Sequence, residues 1–266
     1  MTIRLCLAGA TGWAGSALAR AVAATDDITL SAAVSRSHAG KRLGDVLNDA
    51  RLTAPVFATA SEALASGCDV YLDYTKPDVV KHNILTALGA GAHVVVGASG
   101  LTDADYADIG GAADAAKRGV RAVGNIAITV VLLQKFAEIA ARYVPSWELI
   151  DYAHAGKVDA PSGTVRELAN RLSKVRAPHL ELPVDQTKGY PETRGADVAG
   201  SRVHALRLPS FVISAEVIFG MPDQRLSMRH DSGSSAAPYV DGALLAIRKV
   251  GSFSGLRRGL DQVMEF

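Results

Sequence analysis

The sequence predicts an α/β fold for the first half of the chain and an α+β arrangement for the second half. Up to residue 123, short apolar runs of strand length alternate with helical patterns, which is typical of βαβ units and a parallel sheet. A glycine-rich turn follows the first of these runs. Beyond residue 130 the order changes to helix, strand, helix and then three strands, which favours a mixed or antiparallel sheet.

Apolar runs bounded by turn residues predict five strands in the first half, at residues 3–8, 28–34, 70–74, 93–96 and 120–123. Alanine-rich residues 16–24 predict a helix. Residues 77–90 predict another, because a proline occupies its first turn and glycines lie at its end.

In the second half, the pattern predicts helices at residues 130–143, 164–174 and 243–249, and strands at 147–153, 203–208, 211–219 and 225–229. This change of rhythm near Gly124–Asn125 predicts two domains. We expect residues 1–125 and about 236–266 to form a dinucleotide-binding domain of the Rossmann type. Residues from about 126 to 235 would form a domain for substrate binding and oligomerisation.

Composition excludes several classes of protein. The 266 residues include 28 basic and 27 acidic side chains, so no overall positive field indicates a nucleic-acid or membrane-surface partner. No apolar stretch approaches the ~20 residues of a bilayer span, and the first apolar run is too short for a signal peptide. Cys6 and Cys68 are typical of buried thiols in a reducing compartment. We therefore expect a cytoplasmic protein, with no metal because no histidine has a partner at ligand spacing.

Residues 9–15, G-A-T-G-W-A-G, lie between a predicted strand and a predicted helix. Small residues at such a turn let a pyrophosphate approach the backbone, and the helix N-terminus supplies N–H donors and positive partial charge. The turn therefore predicts dinucleotide binding, with a tight structural turn as the alternative.

The end of the second predicted strand indicates which dinucleotide is bound. An acidic residue there would bind a ribose 2′-hydroxyl and favour NAD, but this chain has V-S-R-S-H at residues 34–38. The guanidinium of Arg36 with neighbouring hydroxyls suits a 2′-phosphate, so we expect NADPH to be preferred over NADH. A solvated basic loop is the alternative.

A second constellation is K-V-D-A-P-S-G-T at residues 157–164, between a strand and a helix. Ser162, Gly163 and Thr164 would present N–H groups and hydroxyls at a helix N-terminus, which suits a carboxylate. Lys157 would hold an anionic substrate or donate a proton. Alternatively, Thr164 and Glu167 form a capping box, with Thr164 as the cap of the helix. The residues by themselves leave both interpretations open.

The octet at residues 157–164 resembles the K-x-D-A-P-S-G-T signature of the dihydrodipicolinate reductases (4-hydroxy-tetrahydrodipicolinate reductases) of lysine and diaminopimelate biosynthesis. Further segments resemble the same family in order along the chain. They are G-A-T-G-W-A-G at 9–15, D-Y-T-K-P at 73–77, G-A-S-G at 97–100, G-N-I-A at 124–127, H-A-L-R-L-P at 204–209, E-V-I-F-G at 216–220, R-H-D-S at 229–232 and L-L-A-I-R-K-V at 244–250.

This resemblance implies a reductase that passes a hydride from NADPH or NADH to a cyclic imine dicarboxylate. Lys157 and His154 would be catalytic. The residues that would bind substrate are His154, Lys157, Ser162, Gly163, Thr164 and Ser99. The residues that would bind the cofactor are Gly9, Ala10, Thr11, Gly12, Trp13, Ala14, Gly15, Arg36, Tyr74, Thr75, Gly97, Ala98, Ser99, Asn125, Ile126 and Ala127. The resemblance also implies a homotetramer built from strands of the second domain.

The chain departs from the family pattern where substrate would bind. The family has a pair of histidines where this chain has Ala153 and His154, and an arginine after R-H-D-S where residues 233–237 are small and uncharged. Three interpretations therefore stand. The protein is an ordinary dihydrodipicolinate reductase, a diverged reductase acting on another imine or keto acid, or an NADPH-binding protein without catalysis. The histidine replaced by Ala153 is the one usually assigned as the general acid in the family. A general acid is worth roughly 10²–10⁴ in rate, so this replacement bears directly on the choice.

Overall fold

The structure is a computed structural model that describes residues 2–98 and 100–264. The backbone divides into two units. Residues up to Ile128 together with those from Ala236 onward form the first unit, and Thr129–Ser235 form the second.

The strands in chain order are β1 (Ile3–Ala8), β2 (Ile28–Val34), β3 (Val56–Phe57), β4 (Val70–Asp73), β5 (His93–Val96), β6 (Gly119–Ala122), β7 (Ser146–Ala153), β8 (Ala196–Val198), β9 (Ser201–Arg207), β10 (Ile213–Met221), β11 (Gln224–Ser232) and β12 (Gly255–Arg258). The helices are α1 (Trp13–Val22), α2 (Leu43–Leu47), α3 (Ala60–Leu64), α4 (Pro77–Gly89), α5 (Asp103–Ala116), α6 (Ile128–Tyr143), α7 (Gly163–Ser173) and α8 (Val240–Val250).

The first unit contains one seven-stranded sheet in the order β12-β6-β5-β4-β1-β2-β3, and every pair of neighbours in it is parallel. Apart from the added β12, this is the strand order of the doubly wound dinucleotide-binding fold. The predicted α/β class is therefore confirmed. In such sheets ligands bind beyond the carboxyl ends of the strands, where the strand order reverses, which here is between β1 and β4.

The sequence pattern did not predict α5. Its sequence, D-A-D-Y-A-D-I-G-G-A-A-D-A-A, has two adjacent glycines and buries only Ile109 and Ala113. A capping box starts the helix, because the Thr102 hydroxyl accepts the Asp105 N–H while the Asp105 carboxylate accepts the Thr102 N–H. The helix buries so few side chains that apolar periodicity in the sequence is too weak to reveal it.

The second unit contains a five-stranded sheet in the order β11-β10-β7-β9-β8. The β7–β9 pair is parallel and the other pairs are antiparallel, so the predicted mixed sheet is confirmed. The side chains of α6 and α7 pack on one face of this sheet, around the buried residues Leu149, Val217 and Phe219. Trp147 joins this core and donates its indole N–H to the Ser201 hydroxyl at 3.0 Å.

Candidate active site

The turn between β1 and α1 can only be made with glycine at two positions. Gly9 has a φ of 77°, and a Cβ there would lie 2.5 Å from the Tyr74 carbonyl oxygen. A Cβ on Gly15 would lie 2.1 Å from the Gly9 carbonyl oxygen. Gly12, the N-cap of α1, has no side chain to cap the helix, so the first N–H groups of α1 remain available to an anion. These observations fit the pyrophosphate of a dinucleotide.

A cavity of about 690 Å³ lies at the carboxyl ends of β1, β2 and β4. Five of the predicted cofactor residues line it, namely Gly9, Gly12, Arg36, Tyr74 and Thr75. Its volume falls in the usual range for small-molecule and cofactor sites, about 300–1,000 Å³. The cavity therefore has the size and position expected for the nucleoside end of a dinucleotide.

Hydroxyl groups and one imidazole cluster at the end of β2. The Thr11 and Ser35 hydroxyls lie 2.8 Å apart, and His38 Nδ1 lies 3.0 Å from the Ser37 hydroxyl and 3.3 Å from the Ser35 hydroxyl. Arg36 is exposed beside them. Residues 34–38 contain no carboxylate. The cluster thus offers hydroxyl and guanidinium donors at the end of β2, without the carboxylate that would bind a ribose 2′-hydroxyl.

The end of β4 is fixed by a buried carboxylate that the sequence patterns had not singled out as a site residue. Asp73 is fully buried and accepts the Thr75 N–H at 2.8 Å, the Thr75 hydroxyl at 2.5 Å and the Asn83 side-chain amide at 3.0 Å. These bonds turn the chain after Asp73, so β4 ends there rather than at the predicted Tyr74. The available sequence signal was Asn83, a polar residue on the otherwise apolar face of α4.

The Tyr74 ring packs against the backbone of Gly97, where a Cβ would lie 2.3 Å from Tyr74 Cζ. Burial raises the pKa of the Tyr74 hydroxyl well above its usual value. Ala98 packs at the edge of the core beside this loop, whereas the predicted site residue Ser99 lies outside the described residues.

The remaining predicted cofactor residues lie at the same edge of the sheet but do not line the cavity. Ala10 is buried, and Ala14 lies in the first turn of α1. Asn125, Ile126 and Ala127 follow β6, and the side chains of Ile126 and Ala127 are buried, so only their backbone could face a ligand.

Trp13 is 59% exposed at the start of α1. Its ring meets the Tyr239 ring edge to face, with 5.6 Å between ring centroids. Tyr239 belongs to the same unit although it is distant in sequence, and the sequence patterns had not indicated it.

In the second unit, the loop before α7 brings Lys157 and Asp159 into an ion pair through the Lys157 ammonium and Asp159 Oδ1. The hydrogen bond from Lys157 lowers the pKa of the Asp159 carboxyl. Arg166 lies on the other side of this carboxylate, with Nη2 3.9 Å from Asp159 Oδ2 and Nη1 donating to the Pro161 carbonyl at 2.6 Å. The Lys157 side chain is 21% exposed.

The α7 helix begins at Gly163, with Ser162 at the N-cap. The alternative prediction that Thr164 is the cap of the helix is therefore wrong, because Thr164 lies inside the first turn. The Ser162 hydroxyl is buried and has no hydrogen-bond partner within residues 2–98 and 100–264. A buried, unpaired hydroxyl at a helix N-terminus indicates a place for an anionic ligand.

His154 follows β7 directly and is exposed. Its backbone N–H donates to the Val212 carbonyl at 3.2 Å, and its carbonyl accepts the Lys157 N–H at 3.1 Å, so the backbone fixes these two predicted catalytic residues close together. Ala153, at the position of the family's first histidine, is fully buried within the sheet opposite Ile213.

Two further residues reach this loop that sequence reasoning missed. Asp151 on β7 is fully buried and accepts the Ser162 N–H at 2.8 Å. Arg207 at the end of β9 donates to Asp151 Oδ2 at 2.7 Å and to the Asp159 carbonyl at 2.8 Å. The available signal was a charged residue at an inward-facing position of each strand.

Other predicted features can be located as well. His204 and His230 lie in β9 and β11, respectively. His204 contacts Glu148 at 2.6 Å, and His230 contacts the Thr129 hydroxyl at 2.9 Å. Both cysteines are buried and free. Among the described residues there is no cluster of histidine, cysteine or acidic side chains suited to a metal ion. The described helices include none with the length and apolarity needed to span a membrane.

The sheet order, the glycine turn and the cavity together define a dinucleotide-binding protein of the doubly wound class. Two family models then cover nearly the whole chain. "Dihydrodipicolinate reductase, N-terminus" matches residues 3–125, and "Dihydrodipicolinate reductase, C-terminus" matches residues 129–264. The chain belongs to the dihydrodipicolinate reductase family, as its sequence motifs predicted.

Relatives and one solved structure agree with this assignment. The chain is 35% identical to the 4-hydroxy-tetrahydrodipicolinate reductase of Desulfitobacterium hafniense over 99% of each protein. It is 34% identical to that of Geobacillus thermodenitrificans over 100% of each. The dipicolinate-bound dihydrodipicolinate reductase from Paenisporosarcina sp. TG-14 has a similar structure, with a TM-score of 0.87 and 29% identity over 99% of this chain and 100% of that one.

Proposed function

We propose that the protein reduces 4-hydroxy-tetrahydrodipicolinate to tetrahydrodipicolinate, a step of lysine and diaminopimelate biosynthesis, with NADPH preferred over NADH. The observation that carries the proposal is the loop at residues 157–164. There Lys157 lies close to the N-terminus of α7, where the buried Ser162 hydroxyl has no partner among the described residues, a combination suited to a substrate carboxylate. The full-length match to reductases of this name supports the same substrate.

The preference for NADPH rests on the end of β2. Arg36 and the hydroxyls of Ser35 and Ser37 line the cavity, and no carboxylate occupies residues 34–38. A guanidinium pairs with a 2′-phosphate through two hydrogen bonds, whereas NADH offers it only a neutral hydroxyl.

The chemistry requires a hydride on carbon, a proton, and the loss of the 4-hydroxyl group as water. The bound nicotinamide cofactor supplies the hydride. Lys157 holds the substrate and stabilises or protonates the nitrogen as negative charge develops there. Asp159 contributes by fixing the direction of the Lys157 ammonium through their ion pair. Gly163, Thr164 and the Ser162 hydroxyl bind a carboxylate, and His154 contacts the substrate from the end of β7.

A second candidate is a reductase of the same fold that acts on a different imine or keto acid. The observation that favours it is Ala153, a fully buried residue at the position where the family pattern has the first of its two histidines. The uncharged, exposed residues 233–235 after β11 point the same way, because they provide no cation for a second carboxylate.

One assay separates these candidates. Purified protein is mixed with NADPH and freshly generated 4-hydroxy-tetrahydrodipicolinate, and the oxidation of NADPH is followed by its absorbance. Fast turnover that is lost in a Lys157→Met variant supports the main proposal. Oxidation only with other imino or keto acids would favour the second candidate. Tight NADPH binding without oxidation by any of these compounds would indicate a binding protein without catalysis.

We also propose that the protein is a cytoplasmic homotetramer. In the second unit, the face of the sheet opposite α6 and α7 presents Ile150, Ile218 and the 38%-exposed Leu206, and apolar side chains on an open sheet face are suited to burial by another subunit. Two buried free thiols suit a reducing compartment. Light scattering after size exclusion would contradict the tetramer if it gave a monomer mass, and cell fractionation tests the location.

A further inference from the structure

Asp151 and Arg207 form an ion pair beneath the loop that carries Lys157. Asp151 faces the same side of β7 as Leu149, and Arg207 faces the same side of β9 as Val203, so both point toward the helices that cover the sheet. The Asp151 side chain is fully buried and that of Arg207 is 17% exposed, and their charged atoms lie 2.7 Å apart. The mechanism proposed above uses neither residue.

The pair binds both ends of the segment 159–162. Asp151 Oδ2 accepts the Ser162 N–H at 2.8 Å, and Arg207 Nη2 donates to the Asp159 carbonyl at 2.8 Å as well as to Asp151. Because the Asp159 carboxylate in turn holds Lys157, the ion pair fixes the base of the α7 N-terminus and, through Asp159, the direction of the Lys157 ammonium.

We propose that Asp151 and Arg207 are positioning residues that hold Lys157 and the α7 N-terminus together as one carboxylate-binding site. This proposal rests on the proposed function of that loop. Since Asp151 occupies the Ser162 N–H, a substrate carboxylate would bind to the Gly163 N–H, the Ser162 hydroxyl and Lys157.

The charge of Arg207 matters as much as its hydrogen bonds. A buried carboxylate directly below a carboxylate-binding turn would repel the substrate, and the guanidinium of Arg207 cancels that negative charge. Removing Arg207 alone therefore leaves an unpaired buried anion under the site. Removing both charges leaves two neutral side chains beneath the loop, which is then less ordered but no longer repels the substrate.

The kinetic test compares Arg207→Met, Asp151→Asn and the double variant. Displacing reacting groups by about 1 Å costs on the order of 10² in rate, so Arg207→Met is expected to lower kcat/KM for 4-hydroxy-tetrahydrodipicolinate about 100-fold while the KM for NADPH changes less than about 2-fold. The substrate KM of the double variant is expected to be about 10-fold lower than that of Arg207→Met, because the unpaired charge is gone. If the fold-decrease in kcat/KM of the double variant equals the product of the two single fold-decreases, the charge argument is overturned.

Arg171→Met is the matched control. Arg171 also forms a 2.6 Å ion pair within the second unit, with Glu138, and both side chains are 18% exposed, but this pair joins α7 to α6 away from residues 157–164. Its loss is expected to lower the melting temperature and to leave the substrate KM within about 2-fold of wild type.

A second readout does not depend on any substrate. Hydrogen exchange of the peptide covering residues 159–164 is expected to become about 10-fold faster or more in Asp151→Asn and Arg207→Met, since the Asp151 carboxylate protects the Ser162 amide and Arg207 holds both Asp151 and the Asp159 carbonyl. Unchanged exchange there overturns the positioning role. If the wild-type protein has no activity on 4-hydroxy-tetrahydrodipicolinate while the exchange changes as expected, the proposed substrate fails and the positioning role stands.

Discussion

The substitution Gly15→Ala tests the close approach on which the dinucleotide turn depends. A Cβ at residue 15 would lie 2.1 Å from the Gly9 carbonyl oxygen, 2.8 Å from the Gly9 carbonyl carbon and 2.9 Å from Ala10 Cα, far inside ordinary contact at 3.4–4 Å. All three atoms belong to the backbone, so no side chain can rotate away. Either α1 or the turn must shift by about 1 Å, at the upper end of the roughly 1–3 kcal/mol that overpacking costs.

We therefore expect Gly15→Ala to lower the free energy of unfolding by about 3 kcal/mol, which is about 6–12 °C in melting temperature for a chain of this size. The Kd for NADPH, measured by fluorescence titration, is expected to rise about 100-fold or more, because the displaced turn no longer admits a pyrophosphate.

Gly111→Ala is the control for this experiment. Gly111 lies exposed in the middle of α5, and a Cβ there would meet no atom within 4 Å. Alanine is expected to stabilise the helix by roughly 0.5–1 kcal/mol and to leave NADPH binding unchanged. The reasoning is refuted if Gly15→Ala melts and binds NADPH like the wild type, or if the two alanine variants lose stability equally.

Three further substitutions test other parts of the structure. Arg36→Ala removes charged hydrogen bonds worth roughly 1.5–3 kcal/mol, so the KM for NADPH should rise about 10- to 100-fold with little change for NADH, and equal increases for both would contradict the assigned role. Lys157→Met should lower kcat roughly 10²- to 10⁴-fold with NADPH binding intact, and a normal kcat would exclude Lys157 from the chemistry. His93 Nδ1 accepts the Gly119 N–H at 2.9 Å, and burial lowers the His93 pKa, so the unfolded chain binds this proton more readily than the folded one. Urea unfolding should show stability that is complete above the ordinary histidine pKa of about 6.5 and falls as the pH drops below it, and His93→Gln should reduce this fall.

The candidate site could be predicted from the sequence wherever its residues are contiguous. The glycine turn at 9–15, Arg36 and the loop at 157–164 each lie next to a strand or helix boundary that local pattern reveals. Asp73, Asp151 and Arg207 could not be found in this way. Each is a charged residue within a strand, and its partner becomes visible only when β4, or β7 and β9, are brought beside the segments that they hold.

Helix boundaries show the same division. The sequence places a helix near residues 164–174 and offers Thr164 as its cap. The structure instead has Ser162 at the N-cap, where the carboxylate of Asp151, a residue eleven positions earlier, accepts the Ser162 N–H.

The sequence by itself determined the fold class, the dinucleotide turn, the family and the loop that carries Lys157, since each follows from local periodicity, glycine spacing or contiguous motifs. Tertiary structure alone decided what holds that loop in place. A buried ion pair between two strands takes the Ser162 N–H, while the Ser162 hydroxyl has no partner in the described part of the chain. The physical reason is that hydrogen bonding between segments distant in the chain depends on sheet register and on the facing of side chains, which no short stretch of sequence specifies.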